Sequence, residues 1–389
     1  MGGISIRTTL VVVTAILACT VMECCASAMS TYIDAPPTAD LSTIGPLPVE
    51  TLEFPNLVDP RRSSRESMSP RHRLFSRLRQ NRAKDVNSFA VNERRIPIKV
   101  HLPATGGPYP VIIVSHGAGG NWDTHYAQAQ HLASHGYAVL CLEHVGSNTD
   151  RLKNGLRLMD NLNKMIRDAK EVLGRPQDVS FAVDRVMDWN TSHEKLRGRL
   201  DSSHIGVLGH SFGAYTTMVI CGVRPTLDWL EPPDPRAKGL GPTLRDARVA
   251  CGVALSPQGV AEPFFINESF ATLSAPLMGI SGTEDKQQGI IPPTNRYKAF
   301  SLWPQMKGQH KFVWLANAHH LDFTDATGSS HQGLRSGNRQ DVQPLVRAAT
   351  LLFFNVHLKR DTSSEEALTT NALQGYLRGA VDSVEVRSK

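Results

Sequence analysis

The chain has 389 residues, 41% hydrophobic and 20% charged, which is enough apolar side chain to bury one large core and excludes disorder throughout. Its net charge of +6 is concentrated in residues 61–84, where eight Arg, one Lys and one Glu leave the remainder at −2. The body is therefore near neutral, and nucleic acid is not the expected partner.

In chain order, Arg7 precedes an apolar run from Thr8 to Met22, and Ala26-Ser27-Ala28 supplies small residues for cleavage, so residues 1–28 read as an export signal. The run is too short to span a bilayer comfortably. Ile16-Leu17-Ala18-Cys19 is an imperfect lipobox, making a lipoprotein anchored through Cys19 the second reading. The expected location is secreted or periplasmic. Cleavage leaves Cys141, Cys221 and Cys251; Cys141 reads as a buried small hydrophobe, and Cys221 and Cys251 either pair or stay as free buried thiols.

Residues 29–48, with two proline clusters, read as a flexible tether. A domain over 49–360 follows. "VETLEFPNLVD" and "RRIPIKVHLP" flank the basic insertion like arms of a hairpin. That insertion, 61–84, reads as a solvated segment, with contact to anionic membrane or surface polymer as its functional alternative. The runs "YPVIIVSHG", "YAVLCLEH", "HIGVLGHS", "VACGVALSP", "APLMGISG" and "KFVWLANAHH" match buried parallel strands. Helical stretches between most of them predict an α/β fold: a mostly parallel, doubly wound sheet with helices on both faces. Apolar positions from Leu152 to Leu173 recur every three or four residues, as one covering helix requires. Residues 361–389 read as a C-terminal tail.

The chemistry centres on Gly209-His210-Ser211-Phe212-Gly213, a G-x-S-x-G turn between a strand run and a helix. Its glycines are needed because the serine sits on a strained bend where flanking side chains would collide. A hydroxyl is a poor nucleophile at neutral pH, so an acid and then a histidine are expected downstream. Gly282-Thr283-Glu284-Asp285 and His319-His320 end two later strand runs. Glu284 and His319 compete within each pair; Asp285 and His320 are preferred. The oxyanion needs two backbone N–H donors: Phe212, and Ala118 in the His116-Gly117-Ala118-Gly119-Gly120 loop. Trp122, Tyr126 and Phe212 are candidates for lining the substrate pocket. No H-E-x-x-H or paired C-x-x-C spacing occurs, so neither metal nor cofactor is expected.

From about Val49 to Arg360 the chain resembles the α/β-hydrolase superfamily, and within it predicted dienelactone hydrolases related to platelet-activating-factor acetylhydrolases and polyester-cleaving cutinases. The resemblance is carried by "VIIVSHGAGGNWDTHYAQAQHLASHGYAVLCLEHVGSNTDR", "RIPIKVHLP", "IGVLGHSFGAYT", "GTED" and "HLDF". It implies Ser211 as nucleophile, Asp285 as acid, His320 as base, and Ala118 and Phe212 as oxyanion amides. Dienelactone hydrolases proper use a cysteine where Ser211 stands. Platelet-activating-factor acetylhydrolases place the acid after an earlier strand, which here reads "VALSPQG" with Ser256 and no carboxylate. The expected activity is hydrolysis of small-molecule or lipid carboxylic esters through an acyl-enzyme. A lipid or polyester hydrolase and a catalytically silent binding protein of the same fold are the rivals.

Overall fold

The computed structural model describes residues 40–62, 93–154, 157–231, 238–260, 264–286, 292–325 and 337–389. The leader, the tether up to residue 39 and the insertion from residue 63 lie outside them. No described helix is long and apolar enough to cross a membrane.

Two opening strands, β1 (Val49–Phe54) and β4 (Ile98–Pro103), pair antiparallel from Val49 opposite Pro103 to Phe54 opposite Ile98. Between them β2 (Val58–Asp59) and β3 (Arg94–Arg95) form a short antiparallel ladder at the stem of the insertion. The remaining strands are β5 (Tyr109–Ser115), β6 (Ala138–Leu142), β7 (Leu200–His210), β8 (Val249–Leu255), β9 (Leu277–Glu284), β10 (Lys311–His319) and β11 (Val384–Ser388). One nine-stranded sheet results, in the order β1-β4-β6-β5-β7-β8-β9-β10-β11. From β6 to β10 every pairing is parallel, as the uninterrupted Val, Ile and Leu runs require of strands covered on both faces.

The covering helices are α1 (Tyr126–Ser134), α2 (Thr149–Lys153), α3 (Leu158–Arg167), α4 (Ala169–Ser192), α5 (Phe212–Ile220), α6 (Thr294–Ala299) and α7 (Arg339–Phe354). Strand side chains alternate between faces, so Val111 and Ile113 join α4 and α5 in one core while Ile112 and Val114 join α1 and α7 in the other. The sheet is thus doubly wound, as expected.

Three expectations need correction, and one open choice is decided. The helix predicted across Leu152–Leu173 is three helices. Asn161 Nδ2 donates to the carbonyls of Leu152 and Asn154, and Asp168, in extended conformation, caps α4 by accepting from Lys170 N–H. Periodicity reports a face, and helices folded back on one another can share it. Pro176 inside α4 has no N–H for the Val172 carbonyl, which accepts from Tyr215 Oη at 3.0 Å instead.

The end of the expected tether is packed rather than free: Leu47 N–H donates to Ser134 O at 3.1 Å, and Gly45 N–H to Ser134 Oγ at 2.8 Å. Residues 361–389 form α8 (Thr362–Ala367), α9 (Thr370–Gln374) and β11, which completes the sheet beside β10. Cys141, Cys221 and Cys251 are free and buried. A Cβ on Gly252 would lie 2.7 Å from Cys221 Sγ, so Cys251, one residue earlier, points to the opposite face and cannot meet Cys221. Burial pushes the Cys221 thiol up to about 12.

Candidate active site

Ser211 stands between β7 and α5 with φ 55° and ψ −115°, a conformation rare for a residue with a side chain. A Cβ on Gly209 would collide with the Gly213 backbone, and one on Gly213 with the Ser115 carbonyl. Both glycines are therefore dictated by close approach. The bend is held by Ser211 N–H donating to Leu255 O at 3.0 Å and by Gln258 Nε2 donating to Ser211 O at 2.9 Å.

His320 opens a short helical turn after β10. Its Nε2 lies 3.0 Å from Ser211 Oγ and its Nδ1 2.8 Å from Asp285 Oδ1. With the proton on Nδ1, Nε2 faces the serine as an acceptor. His210 Nε2 donates to the His320 carbonyl at 2.8 Å, fixing the turn. The imidazole keeps 21% of its surface exposed, whereas Asp285 is fully buried.

Three further residues surround that carboxylate. Ser256 Oγ donates to Oδ1 at 2.9 Å, Ser281 Oγ to Oδ2 at 2.7 Å, and the buried Arg296 Nε is 3.7 Å from Oδ2. Burial would raise the Asp285 pKa, but the Arg296 charge and the His320 and Ser281 contacts outweigh it and hold the carboxyl below its ordinary value.

The competing residues turn elsewhere. Glu284 pairs with Lys286 at 2.8 Å in solvent. His319 N–H donates to Asp322 Oδ2 at 2.8 Å, and its ring packs against Gly337. Glu284 and His319 are the last ladder partners of β9 and β10; the next residues, Asp285 and His320, cross the strand ends toward Ser211.

In the glycine loop, Gly119 N–H donates to Ser147 O at 2.8 Å and Gly120 N–H to Gly117 O at 3.1 Å. A Cβ on Gly117 would lie 3.5 Å from Ser211 Cβ, so this loop abuts the serine. Among the described residues the Ala118 and Phe212 amides have no acceptor, as expected for Phe212 at the first position of α5. The Phe212 ring is buried under the Arg175 guanidinium, 4.4 Å away. Trp122 lies 4.7 Å beneath Lys99 Nζ, and the half-exposed Tyr126 meets His101 edge-on at 5.5 Å. These contacts run to β4.

A second polar cluster underlies the loop. His144 Nδ1 meets Asp178 Oδ2 at 2.7 Å and its Nε2 meets Ser115 Oγ at 2.9 Å. Asp178 also pairs with Arg94 at 2.5 Å and Arg62 at 2.7 Å, and Arg94 bonds Glu171. Arg175 Nη2 donates to His116 O. Arg62, read from sequence as part of a solvated insertion, is thus planted on α4. No local pattern flags these residues, because they come from five separate segments. Among the described residues, no group of three or more His, Cys, Asp or Glu is placed to hold a metal.

Residues 74–151 match the family described as platelet-activating factor acetylhydrolase, isoform II. The platelet-activating factor acetylhydrolase of Cavia porcellus is 25% identical over 306 residues, covering 70% of this chain and 63% of that protein. The one from Canis lupus familiaris is 27% identical over 142 residues, 29% of this chain and 32% of that protein. The chain therefore spans less than two thirds of the length of these relatives. The nine-stranded α/β sheet with a serine on a glycine-flanked bend has the α/β-hydrolase architecture, and the chain is similar in sequence to the platelet-activating factor acetylhydrolase isoform II family.

Proposed function

We propose that this chain hydrolyses carboxylic esters with Ser211 as nucleophile, His320 as general base and acid, and Asp285 as the residue that orients the imidazole. The supporting observation is the 3.0 Å approach of His320 Nε2 to the hydroxyl of a serine at φ 55°. Ser211 Oγ adds to the ester carbonyl as its proton passes to Nε2, and the Ala118 and Phe212 amides receive the oxyanion. The intermediate collapses as His320 protonates the leaving alcohol. Water, deprotonated by the same imidazole, adds to the acyl-serine; collapse releases the acid and returns the proton to Ser211. Asp285 stays ionised throughout, consistent with its lowered pKa.

The relatives are named for platelet-activating factor, which supports a lipid ester with a short acyl group as the substrate class. Within the same proposal the chain is exported behind residues 1–28, with anchoring through Cys19 as the alternative, and residues 61–84 touch an anionic surface. A fluorophosphonate probe together with p-nitrophenyl esters of increasing length tests the activity. Labelling of Ser211 and preference for acetyl and butyryl esters are the expected results; no adduct on folded protein leaves a silent binding protein. Mass spectrometry of the exported chain distinguishes a start at Met29 from a lipidated Cys19.

A further inference from the structure

Ser256 takes no part in the acyl transfer just described, yet its hydroxyl touches two groups that do. It follows β8 with φ 57° and is fully buried. Its Oγ lies 2.9 Å from Asp285 Oδ1 and 2.8 Å from His320 Nδ1, and those two atoms are 2.8 Å apart. The three form a nearly equilateral triangle. Since Nδ1 carries the proton shared with Asp285, the Ser256 O–H points to Oδ1 and an oxygen lone pair faces Nδ1–H.

The backbone at this position is tied from both sides. Ser256 N–H donates to Ile280 O at 2.7 Å, and its carbonyl accepts from Arg296 Nη1 at 3.1 Å. A left-handed non-glycine residue persists only where its surroundings over-determine it. The carboxylate torsion of an aspartate is otherwise broad; here Ser281 secures Oδ2 and Ser256 secures Oδ1.

We infer that Ser256 is a positioning residue: its hydroxyl, delivered from a left-handed backbone at the end of β8, keeps Asp285 Oδ1 aligned with the Nδ1–H of His320. The inference rests on the proposed roles of Ser211, His320 and Asp285. It makes the end of β8 a third support of the acid–base pair, beside β9 and β10.

The test uses the full chain with p-nitrophenyl acetate, comparing Ser256→Ala, Ser256→Gly and Ser256→Asn. Glycine removes the hydroxyl while relieving the backbone, so it separates loss of the hydrogen bond from strain. Both Ala and Gly are expected to lower kcat by about 10-fold with KM within about 2-fold. Both should move the acidic limb of the kcat profile upward by about half a pH unit, because a carboxylate short of one donor holds the imidazolium more tightly. Asn, whose amide donates and which tolerates positive φ, should recover most of the loss. A Gly variant with parental kcat and an unmoved limb overturns the inference, as does a loss in Ala that Gly does not share. Ser211→Ala is run alongside. If it remains active, both readings fall; if it is inactive while Ser256→Gly matches the parent, only the positioning role falls.

Discussion

Two Ser–His–Asp arrangements lie on this sheet with nearly the same dimensions. Ser211–His320–Asp285 has spacings of 3.0 and 2.8 Å, and Ser115–His144–Asp178 has 2.9 and 2.7 Å. Each aspartate is fully buried, faces arginine, and has its pKa lowered although burial opposes this. What separates them is where the serine and histidine stand. Ser211 sits on a left-handed bend with an imidazole partly open to solvent, whereas Ser115 ends a regular strand beneath a fully buried His144. Burial first, and the Arg175 charge second, hold the His144 pKa down at about 3. An imidazole that cannot take a proton cannot serve as a base, so hydrogen-bond order alone does not make a nucleophile. The buried trio instead ties the end of β5, where the glycine loop begins, to α4 and to the insertion stem through Arg94 and Arg62.

The largest contrast should come from the serines and the carboxylate of the buried trio. Ser211→Ala and His320→Ala are expected to lower kcat by about 1,000-fold or more with thermal unfolding unchanged. A Ser211→Ala enzyme within 10-fold of the parent would remove the distinction. Asp178→Ala removes the buried carboxylate that Arg94, Arg62 and His144 share and should destabilise the fold by about 3–5 kcal/mol, measured by urea unfolding. Ser115→Ala is expected to cost about 1–3 kcal/mol of stability while kcat stays within about 5-fold; a kcat loss approaching that of Ser211→Ala would give the buried trio a chemical role.

Acid sharpens the comparison further. Between pH 6.5 and about 3 the unfolded chain protonates a histidine that stays neutral as folded His144, and His131 behaves alike. Stability should therefore fall as pH drops through that window. Asp178 and Asp285 have folded pKa values below the ordinary 3.8, so their contribution is present above that value and is lost as pH falls further. Equal urea midpoints at pH 7 and pH 5 would contradict this. The smallest effect is expected from His319→Ala, with kcat within about 3-fold; a larger loss than in His320→Ala would reverse the choice within that pair.

Much of this was legible in local patterns. The strand runs were readable because a strand covered on both faces must be apolar throughout. The bend at Ser211 was readable because Gly209 and Gly213 are required by contacts a few residues apart. Glu284 against Asp285 was harder, since adjacent residues diverge only where a strand leaves its ladder, and ladder partners lie on other strands. The breaks at Asn154 and Asp168 were hidden because folded-back helices can keep one apolar face.

The sequence by itself determined the α/β class, the strained serine, and the order in which an acid and a histidine follow it. These depend on near neighbours along the chain. Only the tertiary structure decided that Ser256, Ser281 and Arg296 converge on Asp285, that a second Ser–His–Asp trio underlies the glycine loop, and that the last residues close the sheet as β11. Each of these depends on residues far apart in the chain meeting at strand ends, and no local spacing encodes such a meeting.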